Sequence, residues 1–256
     1  MKQFAVWIAE RGRVRLFVMC TICNGVEQHK GQTRRSFGAA LAGLCATAST
    51  YGASLCETGR RQSPIDIVNT SRQPLPALVF DYHQTPLKLA NDGSTVRVRI
   101  ANDCTLQIDA QVYSLYQFHF HTPGGEAIAG KSFPMVAHLL HKSRQGQLVA
   151  VAVHLKVGAH SDLIELLLGN MPVVAKADHA VAGLQVNASA LLPAQRGYYR
   201  YTGSLTAEPC TEGVDWIVLK QPIELSSEQL ARYKHIFPDN MRNVQPVNQR
   251  VVLESD

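Results

Sequence analysis

Five consecutive residues near the middle of the chain, Gln117-Phe118-His119-Phe120-His121, alternate between polar and aromatic side chains. Because successive side chains of a β-strand point to opposite faces, this pattern places both imidazoles on one face and both phenyl rings on the other. The aromatic face must be covered by a hydrophobic core, and the histidine face is free to form a site. An isolated His-x-His pair is usually exposed or hydrogen-bonded in ordinary ways, so a metal site needs a third ligand from elsewhere.

The segment at residues 135–141 offers two candidates for that third ligand, His138 and His141. Residues three apart on a strand face opposite sides of a sheet, so only one of them can join the His119–His121 pair. Three neutral imidazoles on Zn²⁺ leave a fourth coordination position open, which is the arrangement of a catalytic rather than a structural zinc site.

After residue 56 the chain consists of short β-rich runs separated by turn residues. Strands are predicted at residues 96–100, 106–108, 116–121 and 147–157, with turns at residues 91–93 and 123–125. Helices are predicted only at residues 161–168 and 226–236, the second opened by a serine cap. These patterns predict a mainly β single domain with a large sheet and a few short helices.

The positive charge of the chain is confined to its N-terminal part. Residues 1–53 carry seven basic and two acidic side chains, whereas residues 54–256 carry 18 of each. A nucleic-acid-binding protein concentrates Lys and Arg on its folded domain, and this chain has no such excess there. The composition therefore argues against a nucleic-acid partner.

The run Thr33-Arg34-Arg35-Ser36-Phe37 precedes an uncharged stretch of small and apolar residues at 38–48. An arginine pair before a weakly apolar run resembles a bacterial twin-arginine export signal, and the alternative is a chance arginine pair before an alanine-rich helix. The stretch is shorter than the roughly 20 residues that span a bilayer, so no stable membrane insertion is expected. We predict a leader at residues 1–53, a domain at 54–256, and a periplasmic or secreted location.

The cysteines divide in the same way. Three of the six lie in the predicted leader, and Cys56, Cys104 and Cys210 lie in the predicted domain. An oxidising compartment would allow one disulfide among these three and leave one free thiol.

Several segments, in order and with matching spacing, resemble the alpha-class carbonic anhydrases, in particular the secreted bacterial ones. The segments are residues 62–67, 117–123, 134–142, 201–220 and 240–250. The resemblance implies a large, mostly antiparallel twisted central sheet with few short surface helices, a Zn²⁺ cofactor, and reversible hydration of carbon dioxide to bicarbonate and a proton. It implies no particular oligomeric state.

By position, the resemblance makes His119, His121 and His138 the zinc ligands and His141 a structural residue. It makes Thr206 the threonine that accepts a hydrogen bond from the zinc-bound hydroxide nucleophile of the family. It also implies an apolar substrate pocket, residues that support the ligands or the active-site loop, and one disulfide. The pocket residues are Leu140, Ala150, Leu205, Val214 and Trp216; the supporting residues are Gln117, Tyr201, Asn240 and Arg242; the disulfide is Cys56–Cys210.

Three positions depart from the family pattern. Gly125 replaces a glutamate that receives the hydroxyl proton of the threonine, and Glu126, one residue later, could substitute if the loop shifts. Val136 replaces a glutamate that orients the third ligand, and loss of such a partner typically costs about 10–100-fold in metal affinity or activity. Ser94 stands where efficient members carry a proton-shuttling histidine, and a hydroxyl cannot relay protons near neutral pH.

Without that histidine, proton release would depend on buffer or on another histidine such as His83 or His154. Two functions are therefore compared, an active carbonic anhydrase and a catalytically impaired relative that serves as a binding protein and retains the zinc site. Three intact ligands together with Thr206 favour the enzyme, because a protein released from catalysis has no reason to keep all four.

Overall fold

The computed structural model describes residues 6–10, 13–17, 54–101, 103–172 and 174–256. The chain divides into two compact units, residues 1–50 and residues 51–256. In the first unit, β1 (Val6–Glu10) and β2 (Arg13–Phe17) form an antiparallel hairpin. The export signal predicted at residues 33–48 lies outside the described residues.

In the second unit the described residues form sixteen strands, three α-helices and one short 3-10 helix. The helices are α1 (Leu55–Thr58), α2 (Asp162–Asn170), α3 (Ser227–Ile236) and the 3-10 helix Ala188–Leu191. The strands are β3 (Asp66–Ile67), β4 (Ser71–Arg72), β5 (Leu78–Asp81), β6 (Gln84–Asn91), β7 (Val96–Arg99), β8 (Thr105–Ile108), β9 (Gln111–His121), β10 (Gly124–Ile128), β11 (Lys131–Phe133), β12 (Met135–Lys142), β13 (Leu148–Val157), β14 (Lys176–Asn187), β15 (Tyr198–Ser204), β16 (Glu212–Leu219), β17 (Ile223–Leu225) and β18 (Leu253–Glu254).

Most of these strands join one twisted sheet of 13 strands. Its main path runs β14-β6-β7-β9-β12-β13-β16-β15-β18-β4, with β5, β8 and β17 paired beside it, and β11-β10-β3 form a separate small sheet. Pairing in the large sheet is antiparallel except for β13 with β16, β13 with β17, and β18 with β4. The predicted mainly β fold, with a large, mostly antiparallel sheet and few short helices, is confirmed.

Strand β12 shows how the two faces of the sheet are used. It lies between β9 and β13, and all of its residues except Lys142 are buried. Its alternating side chains enter two different hydrophobic clusters: Ala137 and Leu139 join the larger core, and Val136 and Leu140 join the smaller one. The phenyl rings of Phe118 and Phe120 also pack in the larger core, as the alternation in β9 predicts.

The turn predicted at residues 123–125 is confirmed only at its first residue, because the bend comprises Thr122 and Pro123 and β10 begins at Gly124. A Cβ atom added to Gly124 would lie only 3.0 Å from the carbonyl oxygens of Phe133 and Met135. The glycine is therefore required for close backbone approach rather than for chain reversal. A glycine appears in the sequence for either reason, so residue type alone does not distinguish close backbone approach from chain reversal.

The predicted helices are confirmed with small shifts of their ends. Ser161 and Ser226 are the N-caps of α2 and α3, and their hydroxyls accept hydrogen bonds from the backbone N–H groups of Ile164 and Gln229. Within the described residues, no helix combines the length and the apolar character that crossing a bilayer requires.

The cap of α3 is a reciprocal capping box, since Gln229 Oε1 also accepts from the Ser226 backbone N–H at 3.1 Å. We expect Ser226→Ala to lower the free energy of unfolding by about 1 kcal/mol, because Gln229 N–H loses its acceptor. Urea unfolding would measure the change. The exposed neighbour Ser227, replaced by alanine as the control, is expected to leave stability unchanged, and equal losses in both variants would contradict the capping role.

Candidate metal centre

Three imidazoles meet where β9 lies beside β12. His119 and His121 are two residues apart on β9 and share a face, and the antiparallel register pairs His119 with His138 on β12. The ring centroids are 4.9, 5.5 and 4.8 Å apart for the three pairs. The local period of the strand and the register of its neighbour are therefore sufficient to bring all three rings together.

The other histidine of β12 points to the opposite side. His141 is fully buried, and its Nε2 atom lies 2.5 Å from the Tyr82 hydroxyl oxygen. The imidazole of His141 also stacks on the ring of Tyr82. The structure thus separates the two candidates for the third ligand, since only His138 lies with the pair.

All three clustered rings are neutral at neutral pH. Burial lowers the pKa of His121 to about 4 and holds the pKa values of His119 and His138 well below the usual value. For His119 and His138 the second cause is the repulsion that a protonated His121 would exert on a second charged ring. Neutral imidazole is the form whose free lone pair binds a metal ion.

The hydrogen bonds of the three rings fit a metal ion. His121 Nδ1 lies 2.9 Å from the backbone carbonyl of Asn240, which leaves Nε2 buried without a partner. His119 Nδ1 and His138 Nε2 are also buried without partners, and among the described residues no hydrogen bond occupies the other nitrogen of either ring. One ring nitrogen from each residue lies within 4.8 Å of the corresponding atoms of the other two. Three convergent neutral nitrogen donors of this kind match the donor set of a three-histidine metal site.

A cavity of about 200 Å³ opens beside the three rings. Its apolar wall contains Leu140, Leu205 and Trp216. Of the five residues expected to form a pocket, the other two, Ala150 and Val214, do not line this cavity but pack within the same hydrophobic cluster as Leu140 and Trp216.

Part of the cavity lining is polar. It contains Ser94, whose hydroxyl donates a hydrogen bond to Asp92 Oδ1 at 2.7 Å, and Arg97, which forms an ion pair with the same aspartate. Asp92 and Arg97 were not among the predicted site residues, although Arg97 alternates with Val96 and Val98 and is paired with His119 across β7 and β9. That alternation is the signal that could have placed Arg97 on the face of the site.

Neither of the other histidines considered for proton release lines this cavity. His83 pairs with Asp103 at 2.9 Å, and His154 is buried with its Nε2 atom 3.0 Å from the backbone carbonyl of Glu126. The described cavity wall thus contains no imidazole besides the three clustered rings.

Thr206 lies at the cavity, in the loop that follows β15. The loop is closed by a hydrogen bond from Leu205 N–H to the Thr211 carbonyl at 3.0 Å, and Trp216 Nε1–H donates to the Ser204 carbonyl at 2.9 Å. In the part of the chain that the structure describes, the Thr206 hydroxyl has no hydrogen-bond partner. The threonine is therefore placed by its backbone, while its hydroxyl is free to turn.

The carboxylate of Glu126, which could replace the missing glutamate beside Thr206 only if the loop shifted, forms no hydrogen bond with Thr206. Its Oε1 atom accepts a hydrogen bond from the Tyr201 hydroxyl at 2.9 Å, and its Oε2 atom lies 3.9 Å from His138 Nε2. The strand β10 carries this side chain into the interior, where it is fully buried. Burial raises the pKa of Glu126 to about 7, and the hydrogen bond from Tyr201 opposes that rise.

The remaining supporting residues tie the site to distant parts of the chain. Gln117 lies two residues before His119 on the same face and lines the cavity, and its Oε1 atom is buried without a partner. Asn240 accepts a hydrogen bond from Thr122 N–H at 2.7 Å and donates one to the Ser94 carbonyl at 2.7 Å. Residue type alone did not reveal that the backbone carbonyl of Asn240 contacts His121.

A disulfide joins Cys56 and Cys210, as the resemblance implies. Arg242 holds the same region by donating hydrogen bonds to the Cys56 carbonyl and to Gln62 Oε1, both at 2.9 Å. Of the cysteines that the structure describes, Cys104 is the free thiol; it is buried, and burial raises its pKa.

Comparisons with known proteins agree with this architecture. The model of the family described as eukaryotic-type carbonic anhydrase matches residues 48–256. A carbonic anhydrase from Klebsiella pneumoniae is 41% identical over 202 residues, which cover 78% of this chain and 82% of the relative. One from Nostoc sp. is 38% identical over 209 residues, covering 79% of this chain and 78% of the relative. The solved structure of the Photobacterium profundum alpha-carbonic anhydrase has a TM-score of 0.74 and 36% identity, covering 78% of this chain and 92% of that one. The chain therefore belongs to the eukaryotic-type, or alpha-class, carbonic anhydrase family.

Proposed function

We propose that the protein catalyses the reversible reaction of carbon dioxide and water to bicarbonate and a proton, with Zn²⁺ held by His119, His121 and His138. The observation that carries the proposal is the cluster of three neutral imidazoles, with ring nitrogens within 4.8 Å of one another, beside a cavity with an apolar wall. When bound, zinc supplies a nucleophile at neutral pH by acidifying water, a property established for carbonic anhydrases as a class.

The apolar wall of the cavity is suited to the substrate. Carbon dioxide is apolar, and it packs against Leu140, Leu205 and Trp216 without loss of hydrogen bonds to water. Ala150 and Val214 keep these side chains in place from within the cluster.

Protons leave by way of buffer. Ser94 has no pKa near neutrality, and the described cavity wall has no other imidazole that could carry a proton outward. A mobile base in solution therefore takes the proton at the mouth of the cavity.

Thr206 orients the nucleophile by accepting a hydrogen bond from it at Oγ1. We expect Thr206→Ala to lower the rate of carbon dioxide hydration by up to about 10²-fold, the lower end of the effect of one oriented hydrogen-bonding group, because no second partner fixes this hydroxyl. Stopped-flow measurement of kcat/KM tests this expectation. The control is Thr202→Ala, an exposed threonine on β15. A loss of twofold or less in the Thr206 variant would exclude this role.

The chain acts after export, in the periplasm or outside the cell, and residues 1–53 serve as the leader of a domain at 54–256. The Cys56–Cys210 disulfide supports this location, because such bonds persist in oxidising compartments. Fractionation of cells that express the full chain, compared with an Arg34→Lys/Arg35→Lys variant, tests the proposal. Retention of the variant in the cytoplasm is the expected result, and equal export of both chains would contradict it.

Metal analysis combined with a stopped-flow carbon dioxide assay on the purified protein tests the activity itself. We expect one zinc per chain, loss of activity when a chelator removes it, and recovery when zinc is returned. Zinc at one per chain without turnover would show instead that the protein is an impaired relative that binds metal. Turnover that survives complete removal of metal would contradict the proposed site.

A further inference from the structure

The carboxyl group of Glu126 lies in an unusual environment. It is fully buried, and one of its two oxygens, Oε2, has no hydrogen-bond partner. Among the described residues no Lys or Arg side chain lies within ion-pair distance of it, and the nearest basic group is the imidazole of His138. A buried carboxylate without a compensating partner is costly, so this one requires an explanation.

The atom that faces Glu126 also lacks a partner. His138 Nε2 is buried, forms no hydrogen bond, and lies 3.9 Å from Glu126 Oε2. An imidazole that binds a metal through one nitrogen carries its proton on the other, and that N–H group requires an acceptor. Glu126 is positioned to be the acceptor for Nε2–H, which leaves Nδ1 of His138 for the ion.

Two contacts from other strands hold Glu126 in this place. The hydroxyl of Tyr201 on β15 donates to Oε1 at 2.9 Å and lies 3.0 Å from Ser63 Oγ. His154 on β13 fixes the backbone, since its Nε2 atom lies 3.0 Å from the Glu126 carbonyl and its ring stacks on Phe133. Both the side chain and the backbone of Glu126 are thus anchored independently of the metal ligands.

The neighbouring residues provide the space for this arrangement. A Cβ atom added to Gly125 would lie 3.5 Å from His138 Nε2, so β10 passes beside the ring with only backbone in between. Val136 occupies the position two residues before His138, on the same face of β12, and its apolar side chain is buried in the smaller cluster. The carboxylate that β12 lacks is therefore available from β10.

We propose that Glu126 is the positioning residue for the third metal ligand: anchored by Tyr201, its carboxylate accepts the Nε2 hydrogen of His138 and directs Nδ1 of that ring to the ion. This inference rests on the proposed zinc site and supplies a hydrogen-bond acceptor behind its third ligand. Glu126 compensates for Val136, and the role expected for it beside Thr206 is left unfilled.

The test uses Glu126→Gln in the full chain, with zinc affinity as the readout. We expect the dissociation constant for zinc, measured by competition with a chromophoric chelator, to rise about 10–100-fold. The visible absorption spectrum of the Co²⁺-substituted protein is expected to change, because the ligand field at the ion depends on the orientation of His138. The control is Glu254→Gln, a buried carboxylate that does not line the cavity, accepts a hydrogen bond from the Thr70 hydroxyl and pairs with Lys220; this variant is expected to bind zinc as the parent does.

If Glu126 only stabilised the fold, its replacement would lower the unfolding temperature of the metal-free protein, whereas the proposed role predicts no decrease. Because Glu126→Gln removes a buried carboxylate that lacks a cationic partner, the metal-free variant is expected to unfold at the same temperature as the parent or higher. A lower unfolding temperature of the metal-free variant with unchanged zinc affinity and an unchanged Co²⁺ spectrum would overturn the proposal. If the parent itself binds no zinc, the proposed function fails as well.

A second variant removes only the anchor. Tyr201→Phe is expected to weaken zinc binding in the same direction by about tenfold or less, the equivalent of one hydrogen bond. Because both groups act through His138, the double variant should bind zinc no more weakly than Glu126→Gln alone. If Glu126→Gln does not fold, Tyr201→Phe decides: unchanged zinc affinity in that variant overturns the proposal.

Discussion

Replacing His138 with alanine is expected to abolish bound zinc and carbon dioxide hydration together. The variant keeps His119 and His121 but loses the only donor from β12 that faces them, and two imidazoles do not complete the donor set of this site. Zinc content should fall from one per chain to near zero, and the hydration rate should fall to the uncatalysed background. Elemental analysis and stopped-flow kinetics on the same sample measure both quantities, and a circular dichroism spectrum verifies the fold.

His141→Gln provides the matched control on the same strand. His141 lies three residues further along β12, faces the larger core and contacts the Tyr82 hydroxyl, so its replacement leaves the three-ring cluster intact. We expect this variant to retain zinc and activity, with a lower unfolding temperature. Loss of zinc from His141→Gln, or retention of zinc and turnover by His138→Ala, would contradict the assignment of the third ligand.

The second large effect is expected from the disulfide. Cys56 and Cys210 are separated by 154 residues, so the bond closes a very long loop in the unfolded chain. The chain-entropy model gives about 5 kcal/mol of stabilisation for a loop of this length. For a domain of this size, that corresponds to a decrease of about 10–20 °C in the unfolding temperature of the Cys56→Ser/Cys210→Ser variant.

Calorimetry with and without reductant tests this expectation and contains its own control. Reductant should lower the unfolding temperature of the parent and leave that of the double variant unchanged. Activity should fall with stability, because Cys210 ends the loop that carries Thr206, and Arg242 holds Cys56 against the same region. A double variant that unfolds at the parent's temperature would show that loop closure contributes little to the stability of this protein.

Patterns of short range predicted most of the fold. Alternation along residues 96–100 and 116–121 identified β7 and β9, because the period of a strand depends only on which residues face the core, and the mostly apolar run at 147–157 identified β13. The same rule placed His138 and His141 on opposite faces of their strand without knowledge of the strands beside it. The start of β10 was mistaken for a turn because a glycine can be required either for an unusual backbone conformation or for lack of a side chain. The residue type of Gly124 and Gly125 does not distinguish these two requirements.

The part of the site that could not be predicted depends on contacts between distant strands. Glu126 reaches Tyr201 across 75 positions of sequence, and the backbone carbonyl of Asn240 reaches His121 across 119. The residues next to Glu126 in sequence do not determine whether its carboxylate lies beside His138 or beside Thr206. The direction follows from where β15 and β12 lie relative to β10, which is a property of the folded chain.

The complete site depends on residues in the C-terminal part of the chain. Asn240 orients His121, and β18, at Leu253–Glu254, is inserted between β15 and β4. A nascent chain that has emerged only through β12 already contains all three histidines, but it lacks the carbonyl that holds one of them and a strand of the sheet that supports them. The described geometry of the site includes the Asn240 carbonyl, so this geometry can form only after the chain has been synthesised through residue 240.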